Sequence, residues 1–569
     1  MSNDLVTLGE GGGSKNEALK LRSNYLRGPL VEELQNEATF ISEDALQLLK
    51  FHGSYQQDDR DLRAPRKAAG LEKAYSFMLR SRIPGGRMTP AQYLVHDQVA
   101  GAYGNGTIRL TTRQSIQLHG VIKKDLKATI ASINHSLLST LSACGDVNRN
   151  VMACPAPHAG SCNYRIQEIA HAIAMHLAPR SGAYHEIWLD GEKVVTSEPE
   201  HEPIYGRTYL PRKFKIGIAY PGDNCIDIFT QDIGLVAEVK GTQLIGFTVL
   251  IGGGMGMTHN KPDTYPRAAT PLCFVEPNDA LALCETIVTV QRDYGDRKNR
   301  KHARMKYLVE EQGVAWFREQ VESRLGRTLA DPPAVHFDDV YDHVGWSLQP
   351  DGKWFLGLFV ENGRIKDAPE FQLRTALRTI VSEFQTGVRI TAQQNLLLTD
   401  IADADRAKVE ALLNEHGVVT NPDEIGLYRY AMACPAMPTC GLAVAESERA
   451  LPAVVAEIER ELVSLGLGDA KISIRMTGCP NGCARPYMGD IGFVGRSADL
   501  YDLFIGGDWE NTRLNKLFQS SVKTGSLVAT LRPLFALWKA ERATAETFGD
   551  YAHRVGFDHL REATLVEAS

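Results

Sequence analysis

The chain has 569 residues, 43% of them hydrophobic and 23% charged, which predicts several domains of ordinary globular composition. Its formal net charge of −7 argues against a general nucleic-acid binder. No basic segment leads into an apolar run at the start, and no apolar run is long enough to span a membrane, so we expect no secretion signal and a cytoplasmic location.

Residues 1–75 are rich in polar and charged side chains, and Gly11-Gly-Gly-Ser14 lies near the start. Such a composition is typical of a flexible arm, with or without a function of its own.

Beyond residue 75 the chain contains an internal repeat. Three segments recur in the same order: 108–119 as 388–399, 152–156 as 432–436, and 232–236 as 490–494. This order indicates two duplicated halves.

Alternating apolar and polar residues predict a strand over 107–120 and another over 388–398, each with one buried face. Helical spacing occurs over 277–292, 402–415 and 446–465. Strands and helices that mix without strict alternation predict an α+β protein and not a doubly wound sheet. The run Gly252–Gly256 lacks dinucleotide-loop spacing, so we expect it to let the backbone approach something large and flat.

Four of the ten cysteines form two arms, Cys434 with Cys440 and Cys479 with Cys483. Four thiolates suit an iron–sulfur cluster or a structural zinc, and unrelated buried thiols are the third alternative. The five residues between the first pair match zinc knuckles poorly, while the glycines around Asn481 favour close approach to a cluster.

The repeat places Cys154 opposite Cys434 and Cys225 opposite Cys483, with Cys162 as a possible third thiol. Because the first half offers at most three thiolates, we infer that it has lost any cluster and that the chain has a single metal centre. Conversely, Lys215 lies opposite Ser473, and Arg113 and His119 lie opposite Gln393 and Thr399, so cations are concentrated in the first half. A site between the halves would have a metal on one wall and positive charge on the other.

The motifs Thr-Gly-Cys479-Pro-Asn-Gly-Cys483 and Ala-Glu-Ser-Glu-Arg449, together with the two cysteine arms, resemble the sirohaem and [4Fe–4S] sulfite and nitrite reductases. Within that family the chain is most similar to the haemoprotein (beta) subunits of NADPH-dependent assimilatory sulfite reductases. The similarity runs from about residue 23 to the C-terminal region. It implies one sirohaem and one [4Fe–4S] cluster per chain, with all four cysteines holding the cluster and Cys483 also ligating the sirohaem iron.

The resemblance implies a three-domain fold built from two halves with pseudo-twofold symmetry. Residues 1–75 would be an N-terminal arm that docks a partner, and 76–142 with 343–420 a ferredoxin-like (parachute-type) domain formed by both repeats. Residues 143–342 would be a first sirohaem and substrate domain without a cluster, and 421–569 a second domain with the cluster and the axial cysteine.

The resemblance also assigns side chains. Those expected to hold the substrate anion are Arg80, Arg149, Lys213 and Lys215. Lys213 and Lys215 are two apart, so an extended strand would put both on one face. Taken singly, each cation is more typically a solvated surface residue.

Sirohaem carries eight carboxylates and needs a second basic set. The residues expected to bind it are Arg109, Arg113, Gln117, His119 and Asn481. The first three are spaced at steps of four, which a single strand would put on one face. We expect His119 to be a carboxylate partner and not an axial ligand, with a core histidine as the alternative.

The resemblance implies the six-electron reduction of sulfite to sulfide in assimilatory sulfur metabolism and cysteine biosynthesis. The expected electron donor is a flavoprotein (alpha) subunit that carries FAD and FMN and uses NADPH, with ferredoxin as the other possible donor. The alternative function is nitrite reduction to ammonia, but nitrite enzymes of the family tend to have asparagine at the position of Lys215. A zinc-stabilised scaffold without catalytic activity is the rival from another class.

Overall fold

A computed structural model describes residues 13–157, 161–191 and 201–567 of the chain. Its helices are α1 (Lys15–Arg22), α2 (Leu30–Gln35), α3 (Glu43–Leu49), α4 (Arg63–Ala68), α5 (Pro90–Ala102), α6 (Leu126–His135), α7 (Ser161–His176), α8 (Ala183–Trp188), α9 (Ala280–Tyr294), α10 (Met305–Gln312), α11 (Val314–Leu325), α12 (Leu373–Phe384), α13 (Arg406–Glu415), α14 (Pro422–Ile425), α15 (Leu451–Ser464), α16 (Leu527–Glu541), α17 (Phe548–Val555) and α18 (Phe557–Glu567). Among these described helices, none is long and apolar enough to cross a membrane.

The strands are β1 (Ser54–Asp58), β2 (Tyr75–Arg80), β3 (Arg87–Met88), β4 (Ile108–Leu110), β5 (Ile116–Val121), β6 (Met152–Ala153), β7 (Ile216–Ala219), β8 (Gly222–Asp223), β9 (Ile233–Lys240), β10 (Gln243–Ile251), β11 (Thr270–Val275), β12 (Phe337–Asp339), β13 (Gly345–Leu348), β14 (Trp354–Leu358), β15 (Arg364–Ile365), β16 (Asp367–Ala368), β17 (Phe371–Gln372), β18 (Gly387–Ile390), β19 (Leu396–Ile401), β20 (Ala431–Ala433), β21 (Ile474–Thr477), β22 (Ile491–Ser497), β23 (Leu500–Ile505) and β24 (Lys516–Lys523). Helices and strands are mixed, and the α+β prediction is confirmed.

The sheets display the predicted duplication. One five-stranded sheet has the order β6-β7-β9-β10-β11 and another the order β20-β21-β22-β23-β24. In each sheet the first three strands run parallel and the last two join antiparallel. The matched segments 152–156 and 232–236 therefore occupy the same sheet positions as 432–436 and 490–494.

The other pair of five-stranded sheets exchanges strands between the halves. The order β1-β2-β5-β4-β15 ends with a strand from the second half, and β13-β14-β19-β18-β3 ends with a strand from the first. Arg364 of β15 pairs with Arg109 of β4, and Arg87 of β3 pairs with Arg389 of β18. Each sheet is therefore complete only when both halves are present.

The prediction of one continuous strand over 107–120, and of another over 388–398, is wrong. Each run is a hairpin, β4 with β5 and β18 with β19, because Gln114 and Gln394 adopt left-handed backbone angles with φ of 52° and 70°. Arg109 lies directly opposite Gln117 across the ladder, so these two share a face. Arg113, expected on the same strand face, lies instead in the turn.

The helical predictions hold in position. The region 277–292 contains a 3-10 turn followed by α9, 402–415 contains α13, and 446–465 contains α15. In the expected N-terminal arm, residues 15–58 form three helices and a strand, and Leu26 and Leu30 are fully buried. The glycine-rich start of that arm, residues 1–12, lies outside the described residues.

Candidate cofactor and anion site between the two halves

Two neighbouring parallel strands position the cysteine arms. Cys434 follows β20, and the loop with Cys479 and Cys483 follows β21. Because the carboxyl ends of parallel neighbours lie at one sheet edge, the two arms meet there, and the backbone N–H of Gly478 donates to Cys434 Sγ at 3.4 Å. Cys434 and Cys479 are buried and Cys440 is half-buried, while Cys483 alone of the four is exposed.

Close backbone packing holds these loops. A Cβ atom on Gly478 would lie 2.6 Å from Ala436 Cβ, so only glycine fits there. Burial, followed by the charge of Cys483, raises the pKa of Cys479 to about 12 and the pKa of Cys434 above its ordinary value. Buried thiols of this kind ionise when a cation takes up their charge, so the arms fit a metal cluster.

The predicted wall of the first half faces Cys483. Thr112, in the turn between β4 and β5, donates from Oγ1 to the Cys483 carbonyl at 2.9 Å. Arg485 donates back to the Thr112 carbonyl at 2.8 Å and to the Ala392 carbonyl at 2.9 Å. The cysteine loop thus contacts the corresponding turns of both repeats.

A buried carboxylate fastens the two halves together at this point. Asp227 of the first half accepts from Arg475 Nη1 at 2.7 Å and also from Arg485 Nε. Although burial opposes ionisation, the charges of Arg475 and Arg485 hold the pKa of Asp227 below its ordinary value. This ion pair fixes the cysteine loop against the first half.

The four cations expected to bind the anion lie on this face. Lys213 and Lys215 flank Phe214, which forms an isolated bridge with Asn148, so the segment is extended and both lysines leave the same side. Burial and then Arg212 lower the pKa of Lys213 to about 7, and the charge of Cys483 opposes that shift. Burial, Arg113 and then Lys213 lower the pKa of Lys215 well below its ordinary value. Lys213 therefore lies within electrostatic range of Cys483, and Lys215 within range of Lys213.

Arg80 and Arg149 are fixed by neighbouring groups. Arg80 donates to Cys144 Sγ at 3.0 Å and, with the amide oxygen of Gln117 turned toward it, to Gln117 at 3.1 Å. Arg149 donates from Nε to the Gly145 carbonyl at 2.8 Å. Arg149 also donates from Nη1 to the Ala143 carbonyl at 3.2 Å, so two backbone carbonyls orient its guanidinium.

The residues expected to bind the macrocycle divide into two kinds. Arg109 is buried and pairs with Glu448, and its Nη2 donates to the Ala433 carbonyl at 2.7 Å, so its nearest anion belongs to the protein. By contrast, among the described residues nothing hydrogen-bonds to the buried Nε of Arg113 or to Nδ1 of His119. Burial, followed by Arg364, lowers the pKa of His119 well below its ordinary value. Unpartnered polar atoms of this kind fit a bound group with carboxylates.

Asn481 lies in the cysteine loop, where it donates to Cys479 Sγ at 3.5 Å. The glycine run 252–256 reaches the same loop, since the N–H of Met257 donates to the Pro480 carbonyl at 2.8 Å. A Cβ on Gly253 would lie 2.3 Å from the Phe229 carbonyl. Gly253 therefore allows close approach of the protein's own backbone, and the expected approach of the run to something large and flat stays a prediction.

The sequence did not predict the residues that hold the backbone of Lys215 in place, Asp232 and Arg304, or the nearby cation Lys306. Asp232 accepts from the Lys215 backbone N–H and from Arg304 Nη2, each at 2.9 Å. Lys306 donates to the Gly256 carbonyl at 2.8 Å, and burial, then Arg304, lowers its pKa to about 7. Asp232 belongs to a repeated segment, which could have indicated it. Arg304 and Lys306 belong to no such segment and carry no local signal.

Two models of known protein families match most of the chain. The model of the nitrite and sulphite reductase 4Fe-4S domain matches residues 169–329 and 427–569, and the model of the nitrite/sulfite reductase ferredoxin-like half domain matches 70–135 and 347–416. The chain belongs to the nitrite and sulphite reductase family. The cofactors of this family member are sirohaem and a [4Fe–4S] cluster, and the second 4Fe-4S match contains all four cysteines.

Similar proteins align with nearly the whole chain. It is 51% identical to the "Sulfite reductase [ferredoxin]" of Synechococcus elongatus, over 96% of this chain and 90% of the relative. It is 48% identical to the "Sulfite reductase [NADPH] hemoprotein beta-component" of Staphylococcus saprophyticus, over 95% of both. The NirA protein of Mycobacterium tuberculosis shares the fold, with a TM-score of 0.77 and 24% identity over 95% of this chain and 96% of that one.

Proposed function

We propose that this protein reduces sulfite to sulfide in six electrons at a sirohaem joined through Cys483 to a [4Fe–4S] cluster. The observation that carries the proposal is the set of cations on the Cys483 face, where Lys213 and Lys215 are half-buried and leave one side of an extended segment. Relatives 47–51% identical over the chain are named sulfite reductases. The proposed setting is assimilatory sulfur metabolism and cysteine biosynthesis, in the cytoplasm.

In this proposal Cys434, Cys440, Cys479 and Cys483 hold one cluster per chain, and Cys483 also ligates the iron of one sirohaem. When bound, these groups would supply the electron transfer from the donor to the substrate, which the amino-acid side chains of the site do not provide. Arg113 and His119 would face the sirohaem carboxylates, and Asn481 would lie against the ring. Gln117 orients Arg80, while Arg109 would act indirectly by pairing with Glu448.

The chain's own part in the reaction is to bind the anion and move protons. Arg80 and Arg149 would hold substrate oxygens through charge-assisted hydrogen bonds. Lys213, with a pKa of about 7, can carry a proton at neutral pH and release it to an oxygen that leaves as water. Lys215 adds the fourth cation, which a doubly charged anion needs more than a singly charged one does.

We further propose that residues 1–75 dock the electron donor, that 76–142 with 343–420 form the shared ferredoxin-like domain, and that 143–342 and 421–569 are the two halves around the site. The proposed donor is a flavoprotein (alpha) subunit that carries FAD and FMN and uses NADPH. One relative is named for NADPH and another for ferredoxin, so ferredoxin is the competing donor.

Nitrite reduction is the second candidate, because the matching family includes nitrite reductases. The decisive experiment measures the visible spectrum, iron content and sirohaem content of the purified chain, and then turnover of sulfite and of nitrite with a chemical reductant. We expect both cofactors and a higher kcat/KM for sulfite. A higher kcat/KM for nitrite would replace the proposed substrate, and absence of a haem spectrum after cofactor-sufficient expression would contradict the cofactor assignment. Adding the flavoprotein with NADPH, or reduced ferredoxin, then identifies the donor.

A further inference from the structure

A second group of metal-ligating side chains lies outside the cysteine arms, in the half expected to have lost its metal. Cys154, Asp223, Cys225 and His343 each direct one ligand atom inward, and these four atoms lie within 4.8 Å of one another. Cys154, Asp223 and Cys225 are at most 1% exposed, and the His343 side chain is 4% exposed. From these contacts we propose that the four residues bind a structural zinc ion.

The distances fit one tetrahedral ion. Cys154 Sγ lies 3.6 Å from Asp223 Oδ2 and 3.8 Å from His343 Nε2, and His343 Nε2 lies 3.4 Å from Asp223 Oδ2. Sulfur, nitrogen and oxygen ligands at zinc's bond lengths of about 2.0–2.3 Å lie roughly 3.3–3.8 Å apart around a tetrahedron. Two thiolates, one imidazole and one carboxylate are all zinc ligands, and four protein ligands make a closed, structural site.

The carboxylate is oriented for this role. Asp223 Oδ1 accepts from the backbone N–H of Cys225 at 2.9 Å and from that of Tyr341 at 3.2 Å. Its other oxygen, Oδ2, is the one that faces Cys154 and His343. Hydrogen bonds that fix the outer atom of a ligand and leave the inner atom to the metal are typical of metal sites.

The surroundings also suit an ion. Met152, Ile226, Phe337 and Phe355 pack around the two cysteines and exclude water. His343 pairs with Asp223 and offsets part of the charge of this group, but burying the two cysteines as thiolates in the same shell requires a further cation. Arg389 donates to the Pro155 carbonyl at 2.7 Å and so holds the residue after Cys154 in place.

The location explains what the ion would do. Cys154 follows β6 as Cys434 follows β20, and Cys225 is the counterpart of Cys483, so the group occupies the position of the cysteine arms in the other half. Cys162, the third thiol expected from sequence, does not belong to the group. His343 comes from the segment just before β13, so the ion would tie the start of the second half to the first. This changes the expectation of a single metal centre per chain.

The first experiment is elemental analysis of the purified holoenzyme, with iron and sirohaem measured in the same samples. We expect about one zinc per chain. X-ray absorption at the zinc edge should show two sulfur ligands at about 2.3 Å and two nitrogen or oxygen ligands at about 2.0–2.2 Å. Because the edge is element-specific, iron does not interfere. Zinc below about a tenth per chain, or zinc with four sulfur ligands as in the cysteine arms, would overturn the proposal.

Variants test the ligands. Asp223→Asn and His343→Ala should each lower zinc at least about tenfold and leave iron and sirohaem unchanged. Cys273→Ser, at a buried cysteine of the same half outside the group, is the matched control and should keep its zinc. Zinc retained in both ligand variants would contradict the assignment. If one variant does not fold, the other and the wild-type edge spectrum still decide, and a Cys154–Cys225 disulfide in wild type would also reject it.

Discussion

Asp232 and Asp490 occupy equivalent positions in the two halves but have different hydrogen-bond and ion-pair partners. Asp232 accepts from the Lys215 backbone N–H at 2.9 Å and pairs with Arg304, whereas Asp490 accepts from the Ser473 N–H at 2.9 Å and from its hydroxyl at 2.7 Å. Without an arginine partner, burial raises the pKa of Asp490 to about 6. The duplicated backbone is conserved between the halves while its charge is not, so one half can hold thiolates and the other cations without any change of fold.

The strongest way to break this comparison is to remove the exposed thiol. We expect Cys483→Ser to lower turnover at least about a hundredfold and to abolish spectroscopic coupling between sirohaem and cluster, because oxygen replaces the thiolate that we propose joins them. Its control is Cys284→Ser, at a buried cysteine of the first half outside both proposed metal sites, which should keep the coupled spectrum. A strongly coupled spectrum with wild-type turnover in Cys483→Ser would remove the bridging role.

The next largest effect concerns the ion pair between the halves. Asp227→Asn leaves Arg475 and Arg485 buried without their carboxylate, so we expect a loss of about 3–5 kcal/mol in the free energy of unfolding. Denaturant unfolding measures it. Asp61→Asn removes the exposed partner of Arg449 and should cost less than about 1 kcal/mol. Equal losses in both variants would show that Asp227 is not the anchor.

Substrate choice should depend on the cation that the second half lacks. Lys215→Asn should lower kcat/KM for sulfite by about one to two powers of ten and for nitrite by less, because a doubly charged anion loses more from one missing charge-assisted contact. Cofactor content should stay normal. Lys123→Asn, at a buried lysine bonded to Asn36, is the control and should leave both rates unchanged. Equal losses for both substrates would assign Lys215 to proton delivery or folding.

A smaller effect is expected from pH. The pKa of Lys213 is lowered to about 7, mainly by burial, so its charge is present below that pH and is lost as the pH rises through it. Nitrite keeps one charge throughout this range, and we expect its KM to rise a few-fold between about pH 6 and pH 8. Lys213→Arg stays protonated and should flatten this profile. A wild-type KM that does not vary with pH would contradict the role.

The smallest expected effect on iron is an unchanged content when the cysteines of the first half are removed. Replacing Cys154, Cys162 and Cys225 together with alanine should leave the iron content per chain unaltered, because the proposed cluster thiols belong to the other half. The proposed zinc should be lost with Cys154 and Cys225, and stability should fall for that reason as well as through the cavities. Iron analysis is the measurement, and a fall of about four irons per chain would show that the first half holds a cluster.

Sequence alone predicted the duplication, the α+β class and both cysteine arms, because repeats and cysteine spacings are local patterns. It misread the hairpins at Gln114 and Gln394, because apolar alternation continues through a tight turn when the turn residues are polar. It also missed Arg304, Asp227 and His343. Their roles depend on residues far apart in the chain, and no local periodicity records such pairs. The roles of the cations remain predictions.

The exchange of β3 and β15 has a consequence for synthesis. The sheet that begins with β1 lacks its last strand until residues 364–365 have left the ribosome, and the β13 sheet needs residues 87–88 from the other half. Each half alone leaves one of these two sheets without its edge strand. We therefore expect both sheets to be completed only after most of the chain has been synthesised, with a risk of misassembly before then. A gene split between the halves would succeed only if both fragments were made together.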